Sequence, residues 1–376
     1  MIYELHYQVD QIKTYSKIEA IKLAQGDWSR VHFNYMESTF AGASWTRPKR
    51  TWAQLLRDRC QQIRDTYDHV CLWFSGGWDS TTALNAFAEN GIPVDEIAIY
   101  KREYIVDVEV DAAVQYATEI KNRFMPNVKI TVVPISHRHN ELVYEKYGED
   151  WIFTPGSNLM FPKTHRYFIQ HELDETKNYR PNDQRRVDLY AHDKPRVLLH
   201  DRKWYCFAPD SSMTGYMNTD VELFFISPNM PELHYCQTHM AIDYFESLMR
   251  QRNGYCERTS HDYQNMSGPL GLTTVESDDT RYQLWNMACG RTCIDNESAR
   301  FGWLKVTVGQ HPLSQESVRL FEHAQNSNTK AYKIYQQGLA NVEQITGLKR
   351  PTQADSLWMP TVLSEKYFVR PAEADL

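Results

Sequence analysis

The stretch His69-Val70-Cys71-Leu72-Trp73-Phe74 is a short, mostly apolar run that stops at Gly76-Gly77. A run of this length lacks the alternation of a half-exposed strand. It predicts a strand covered on both faces, as in a parallel sheet. After the glycines, Asp79 or Ser80 can cap a helix whose Ala83, Leu84, Phe87 and Ala88 form an apolar stripe, and Asn90-Gly91 ends it. Upstream, Thr51 caps a helix carrying Trp52, Leu55, Leu56, Cys60 and Ile63 at helical spacing, which ends near Asp65. Downstream the alternation repeats. Asp95 to Tyr100 reads as a strand, Val110 to Phe124 as a helix and Val128 to Ile135 as a strand. Strand, helix, strand, helix, strand with short connections predicts an α/β fold with a doubly wound, mainly parallel sheet.

The rest of the chain is read around that unit. The 376 residues, 42% of them apolar and 13% aromatic, suffice for two domains or one large domain with additions. We expect an N-terminal extension over 1–50, a nucleotide-binding domain over 51–250, and a mostly helical C-terminal region over 251–376 that holds the acceptor-substrate pocket. Ile2 to Val9 is read as a strand, Ser16 to Ala24 as a helix, and Arg196 to Phe207 as a hairpin turning at Asp201-Arg202. A helix is expected within Met230 to Arg250, with further helices from Ser314 and over Lys330 to Ile345. No run approaches the ~18 apolar residues of a membrane span, and the first residues lack a signal pattern. A soluble, cytoplasmic protein without a membrane partner is therefore expected. The net charge of -7 argues against bulk electrostatic coating of nucleic acid. Arg47-Pro48-Lys49-Arg50 and Arg185-Arg186 read as solvated loops.

The glycine loop carries the chemistry. Ligands bind at the carboxyl ends of parallel strands, where Ser75-Gly76-Gly77-Trp78-Asp79-Ser80 stands. Gly76 and Gly77 let the backbone turn sharply and approach an anion. Successive N–H groups form a nest for phosphate oxygens, and the start of the next helix adds its dipole. Ser75, Ser80 and Thr81 add hydroxyls. Asp79 brings a negative charge to an anion site, which makes sense with Mg2+ between carboxylate and phosphate. The pattern is neither a Walker loop nor a dinucleotide fingerprint.

Ser-Gly-Gly-x-Asp-Ser resembles the signature of the PP-loop (ATP pyrophosphatase) superfamily. The resemblance implies an adenine nucleotide α-hydrolase-like fold in which the loop grips the pyrophosphate part of ATP. A substrate oxygen attacks the α-phosphorus, pyrophosphate leaves, and a nucleophile then displaces AMP. It also implies that backbone near Trp73-Phe74 and near Tyr100-Lys101 holds the adenine. Trp52 to Arg59 is similar to the helix that precedes the loop in asparagine synthetases. Position 2 is Ile2 rather than a cysteine, and some seventy residues precede the loop. The glutaminase half is therefore expected to be absent, with ammonia free or delivered by a partner. Pro155-Gly156-Ser157-Asn158 resembles a segment of 7-cyano-7-deazaguanine synthases, with Ser157 in place of arginine. The overall pattern, including Asp193-Lys194-Pro195-Arg196, Lys203-Trp204-Tyr205 and Pro228-Asn229-Met230-Pro231-Glu232, is similar to asparagine-synthetase-like PP-loop proteins of tailed bacteriophages. For such a chain the host cytoplasm is the expected location.

Adenylation needs positive charge beside the departing pyrophosphate. Lys194 and Arg196 are the candidates, with Asp193 as a second metal ligand and Lys163, His165 and Arg166 as a further basic group. Tyr367 and Arg370 are further candidates, folding back over the site. His234 and His239, five apart around Cys236, read as packed or surface histidines, the alternative being ligands. Among seven cysteines no CxxC occurs; Cys256, Cys289 and Cys293 with His261 are read as structural thiols, the alternative being zinc ligands. Three functions remain: an adenylating ligase transferring nitrogen to a small-molecule or nucleobase acceptor, a sulfur-transfer or tRNA-modifying enzyme, and a module that holds ATP or AMP without turnover. The lack of CxxC weighs against the second.

Overall fold

The structure is a computed structural model. It describes residues 4–102, 108–135, 185–191, 195–200, 202–208, 210–213, 217, 221–251 and 362–373, with isolated positions between 326 and 344. The chain opens with an antiparallel sheet of β1 (Leu5–Val9), β2 (Ile12–Thr14) and β3 (Val31–Tyr35), in the order β2-β1-β3. Leu5, Tyr7 and Val9 face the core together with Val31, Phe33 and Tyr35. Helix α1 (Lys17–Leu23) starts where the Ser16 side chain accepts a bond from Glu19 N–H, and α2 (Glu37–Phe40) follows β3. The strand and helix expected here are present. Strand β3 was not anticipated, although Val31, Phe33 and Tyr35 alternate with His32 and Asn34 in the period of two that marks a strand.

Helix α3 (Trp52–Thr66) opens with a reciprocal cap: Thr51 Oγ1 accepts from Gln54 N–H at 3.2 Å and Thr51 N–H donates to the Gln54 side chain at 2.8 Å. Then come β4 (His69–Trp73), α4 (Trp78–Glu89), β5 (Glu96–Arg102), α5 (Val108–Arg123), β6 (Lys129–Ile135) and β7 (Arg186–Tyr190). A hairpin of β8 (Arg196–His200) and β9 (Lys203–Phe207) follows, turning at Arg202, whose φ is 54°. Beyond it are α6 (Asp210–Met213), β10 (Glu222–Leu223), α7 (Pro231–Gln251) and β11 (Tyr367–Pro371). The helices expected from Ser314 and over Lys330 to Ile345 lie largely outside the described residues.

Five strands make one parallel sheet in the order β10-β7-β4-β5-β6. This is the predicted α/β fold. Strand β4 comes first in the chain and sits in the middle. The chain runs outward from it to β5 and β6, then returns to its other side for β7 and β10. The order therefore reverses between β4 and β7, where a parallel sheet opens a crevice at its carboxyl edge. Helix α4 is buried on all sides from Ser80 to Ala88, not along a stripe alone. Its polar Asn85 is satisfied by the Tyr116 hydroxyl of α5 at 2.8 Å. Gly91, at φ 65°, closes the helix: Gly91 N–H donates to Ala88 O at 3.1 Å and Ile92 N–H to Phe87 O at 3.0 Å.

Arg59 of α3 is 2% exposed and holds the far edge of the sheet. Its guanidinium donates to Phe224 O at 3.0 Å, to Leu223 O at 2.7 Å, to the Gln62 side chain at 2.7 Å and to Glu222. The other Glu222 oxygen accepts from the Tyr67 hydroxyl at 3.1 Å. Each nitrogen of this buried cation donates to an acceptor, which offsets much of its desolvation.

A second buried ionic array crosses the amino ends of the sheet strands. Glu96 lies 3.5 Å from Arg186, 3.5 Å from Lys129 and 3.7 Å from His69, and it accepts from the Thr131 hydroxyl. Arg186 is also 3.5 Å from Asp188. Burial alone would raise the Glu96 carboxyl. His69 and Thr131, followed by Arg186 and Lys129, outweigh it and hold the group at about 2 against an ordinary 4.5. Arg186 was read from sequence as part of a solvated loop. It is instead 8% exposed, at the start of a central strand. The cause is plain: besides Asp188 on its own strand, it meets Glu96 of β5, which is distant in the chain. Arg47 and Arg50, by contrast, are exposed and pair with Asp243, and with Asp58 and Glu232.

The amino-terminal sheet, the β8–β9–β11 sheet and α7 pack together. Asp210 is fully buried and receives Lys17 Nζ at 2.6 Å, the Tyr7 hydroxyl at 2.7 Å and Val362 N–H at 3.1 Å. Trp45 stacks on Tyr367 at 5.7 Å, and the Tyr367 hydroxyl donates to Tyr35 O at 3.0 Å. No helix among the described residues is long and apolar enough to cross a membrane.

Two stability predictions follow from these buried charges. Arg59→Met strands the Glu222 carboxylate and should cost about 3–5 kcal/mol in urea unfolding, whereas pairing it with Glu222→Met should recover a large part. Because the folded Glu96 is depressed from 4.5 to about 2, its contribution is complete above pH 4.5 and fades as pH falls towards 2. Thermal unfolding of wild type and Glu96→Gln should therefore differ most at neutral pH and converge over that window; a gap that stays constant down to pH 3 contradicts this account.

Candidate functional site

Strand β4 ends at Trp73, and Phe74 N–H still bonds across to Ala98 O of β5 at 2.8 Å. The chain then leaves the sheet through Ser75-Gly76-Gly77 and enters α4 at Trp78. Gly76 has φ 70°, a left-handed conformation that a β-carbon strains. Gly77 is the N-cap and carries no side chain to occupy the first-turn amides. The start of α4 thus meets the carboxyl edge of the sheet at the reversal of strand order. Asp79 stands in the first turn, half-buried.

Hydroxyls brace this loop from inside. Ser80 is 3% exposed; its Oγ accepts from Ser75 N–H at 3.2 Å, donates to Gly77 O at 3.2 Å and lies 3.1 Å from Ser75 Oγ. Ser75 Oγ in turn accepts from Gly77 N–H at 3.4 Å. The two serines therefore hold the turn closed, and the Ser80 hydroxyl is engaged with the loop's own backbone. Thr81 is fully buried, and its Oγ1 has no hydrogen-bond partner among the described residues.

Three aromatic rings line the carboxyl ends of adjacent strands. Trp73 stacks on Tyr100 of β5 at 4.3 Å and lies parallel to Tyr190 of β7 at 5.9 Å. Trp73 and Tyr190 are buried and Tyr100 is half-buried. The indole N–H donates to Asp188 Oδ1 at 3.3 Å. Lys101 is half-exposed, 3.8 Å from Asp111. On the opposite face Phe74 packs near Tyr116 of α5.

The other sequence candidates fall in several places. Arg196 begins β8, opposite Phe207, in the antiparallel sheet rather than the parallel one. Asp193, Lys194, Lys163, His165, Arg166, Ser157, Cys256, His261, Cys289 and Cys293 lie outside the described residues. Tyr367 and Arg370 belong to β11; Arg370 pairs with Glu246 at 2.6 Å and Asp243 at 3.1 Å of α7. Both residues tie the carboxyl-terminal strand to the body of the protein. His234 and His239 are buried, and His239 sits 2.7 Å from Trp45 O. No group of three or more potential metal ligands occurs among the described residues. The described cysteines, Cys60, Cys71, Cys206 and Cys236, are all buried, and burial raises the thiols of Cys60, Cys71 and Cys236.

Sequence reasoning missed Asp188 and Tyr190. The signal was the alternation Arg186-Val187-Asp188-Leu189-Tyr190, a period of two that marks a strand. Only Arg185-Arg186 was read there, as a solvated loop.

No protein-family model matches the chain, and no curated protein matches it. Among solved structures the chain has a partial likeness to the NMN synthetase from Francisella tularensis, at 15% sequence identity and a TM-score of 0.25, over 37% of this chain and 52% of that one. The match spans about half the length of that synthetase, and a score this low bears no weight on either fold or site. The fold rests on the molecule's own strand order: an α/β architecture whose five-stranded parallel sheet carries the glycine loop on its central strand.

Proposed function

We propose that this chain is an ATP-consuming enzyme that adenylates a substrate oxygen, releases pyrophosphate and then passes nitrogen to the activated acceptor. The observation that carries the proposal is the position of Ser75-Gly76-Gly77-Trp78-Asp79-Ser80 at the carboxyl end of the central parallel strand, beside the reversal of strand order. A polyphosphate there meets backbone amides at the start of a buried, rigid helix. Preorganised donors of this kind stabilise developing charge without reorganising during the reaction.

The residues divide the work. Gly76 and Gly77 admit the phosphates to the backbone, and the Ser75–Ser80 pair keeps the turn in shape. Asp79, in the first helical turn, suits a Mg2+ ion shared with phosphate oxygens, since this ion takes one or two carboxylates and completes its shell with phosphate and water. Asp193 is the proposed second ligand. The ion supplies charge neutralisation at the pyrophosphate. Lys194 and Arg196 add positive charge for the leaving group. The acceptor is a small molecule or nucleobase, and the ammonia is free or comes from a partner protein. Sulfur transfer is the weaker alternative, because the described thiols are buried and burial raises those of Cys60, Cys71 and Cys236.

The test is pyrophosphate release from ATP and Mg2+ across pools of amino acids, nucleobase acids and tRNA. Acceptor-dependent release by wild type, reduced roughly 100-fold or more in Asp79→Ala, is expected; a protein that binds ATP yet releases nothing with any pool is a holder of nucleotide rather than an enzyme. Gly76→Ala, which forces a β-carbon into the left-handed region, should raise the Kd for ATP about tenfold by calorimetry while the protein stays folded.

A further inference from the structure

The parallel sheet contains a polar path that the proposed chemistry does not use. It begins at Glu96, passes through Arg186 at 3.5 Å and reaches Asp188 at 3.5 Å. It ends on the Trp73 indole N–H, 3.3 Å from Asp188 Oδ1. Strand alternation puts all four side chains on one sheet face: Trp73 of β4 pairs in register with Tyr190 of β7, and Cys71 with Asp188. Glu96, Asp188 and Trp73 are each under 7% exposed.

A carboxylate buried this deeply needs both a counter-charge and hydrogen bonds. Arg186 supplies the first. Among the second, the indole N–H is the bond that leads out of the sheet. Trp73 is the last residue of β4, two before Ser75. Its ring is already held between Tyr100 and Tyr190. Stacking lets a ring slide and turn in its own plane; a hydrogen bond from its one donor to a charged acceptor stops that rotation.

We propose that Asp188 is a positioning residue for the Ser75–Ser80 loop, acting through the Trp73 indole that it fixes. Among the described residues Asp188 pairs with Arg186 and the Trp73 indole, not with Ser75–Ser80. It holds the ring that terminates β4, and the loop inherits that order. This inference rests on the nucleotide reading only for its consequence in binding; the mechanical link stands apart from it.

The experiment is hydrogen–deuterium exchange of the full chain, read on the peptide spanning residues 74–81, with calorimetric ATP titration in parallel. Asp188→Leu removes the acceptor, Asp188→Asn keeps a neutral one, and Trp73→Phe keeps a ring in the stack but has no N–H. Asp188→Leu and Trp73→Phe should each speed loop exchange by about tenfold, as expected for loss of one charge-assisted bond, with ATP affinity weakened in parallel. Asp188→Asn should restore most of the protection, the double variant should be no worse than either single one, and the α5 peptide over 108–123 should stay unchanged. Loop exchange within twofold of wild type in Trp73→Phe overturns the proposal, even if Asp188→Leu fails to fold. Equal effects of Asp188→Leu and Asp188→Asn, or additive effects in the double variant, also overturn it, since they would reduce Asp188 to a counter-charge for Arg186. A wild-type protein that binds no ATP refutes the nucleotide reading, while the exchange data still decide the role of Asp188.

Discussion

The Arg186 guanidinium lies between two buried carboxylates, Glu96 and Asp188, within the face of a parallel sheet. Three adjacent strands, β5, β4 and β7, depend on that neutralisation, because their register brings His69, Cys71, Glu96, Arg186 and Asp188 together. Parallel strands buried on both faces are ordinarily filled with aliphatic side chains. Here one face is aliphatic, with Val70, Leu72, Ile97, Ile99, Val187 and Leu189, and the other is ionic at one end and aromatic at the other. A one-residue slip of β7 would turn Arg186 and Asp188 into the aliphatic face, leaving Glu96 uncompensated. The ionic array therefore favours a single register, and that register sets where β4 ends.

From that end the site is built by short steps. The glycine turn, braced by Ser75 and Ser80, leads into a helix enclosed on every side and closed by Gly91. An enclosed helix cannot shift without disturbing its packing on α3, α5 and the sheet. Its first turn is thus a fixed point, suited to an anion that must be held in one orientation. The Arg59 cluster does the equivalent work at the other edge, fastening α3 to the backbone after β10. The amino-terminal sheet and β11 are joined to α7 and β9 through Asp210, Tyr367 and Arg370.

Local patterns made much of this readable. The apolar run into paired glycines, the Thr51 cap, the Asn90-Gly91 stop and the hairpin turning at Arg202 each follow from the preferences of a few consecutive residues. Chain order alone implied parallel strands. Thr81 shows where such reading stops: its hydroxyl follows Ser80 in the motif, yet the helix turns it into the interior, because successive helical residues point about 100° apart.

What the sequence by itself determined was the alternation of helix and strand from α3 to β6 and the glycine turn within it, since both rest on interactions within a few residues. Only the tertiary structure decided which charges are buried and which strand ends meet. Arg186 and Asp188 look like solvent-facing residues until β7 inserts beside β4 and supplies Glu96 and Trp73 as partners. Burial of these charges depends on neighbours distant along the chain: Glu96 stands about ninety residues before Arg186, and Trp73 stands 115 residues before Asp188. A window around β7 contains the Arg186–Asp188 pair but not the second carboxylate and the indole that complete the buried array.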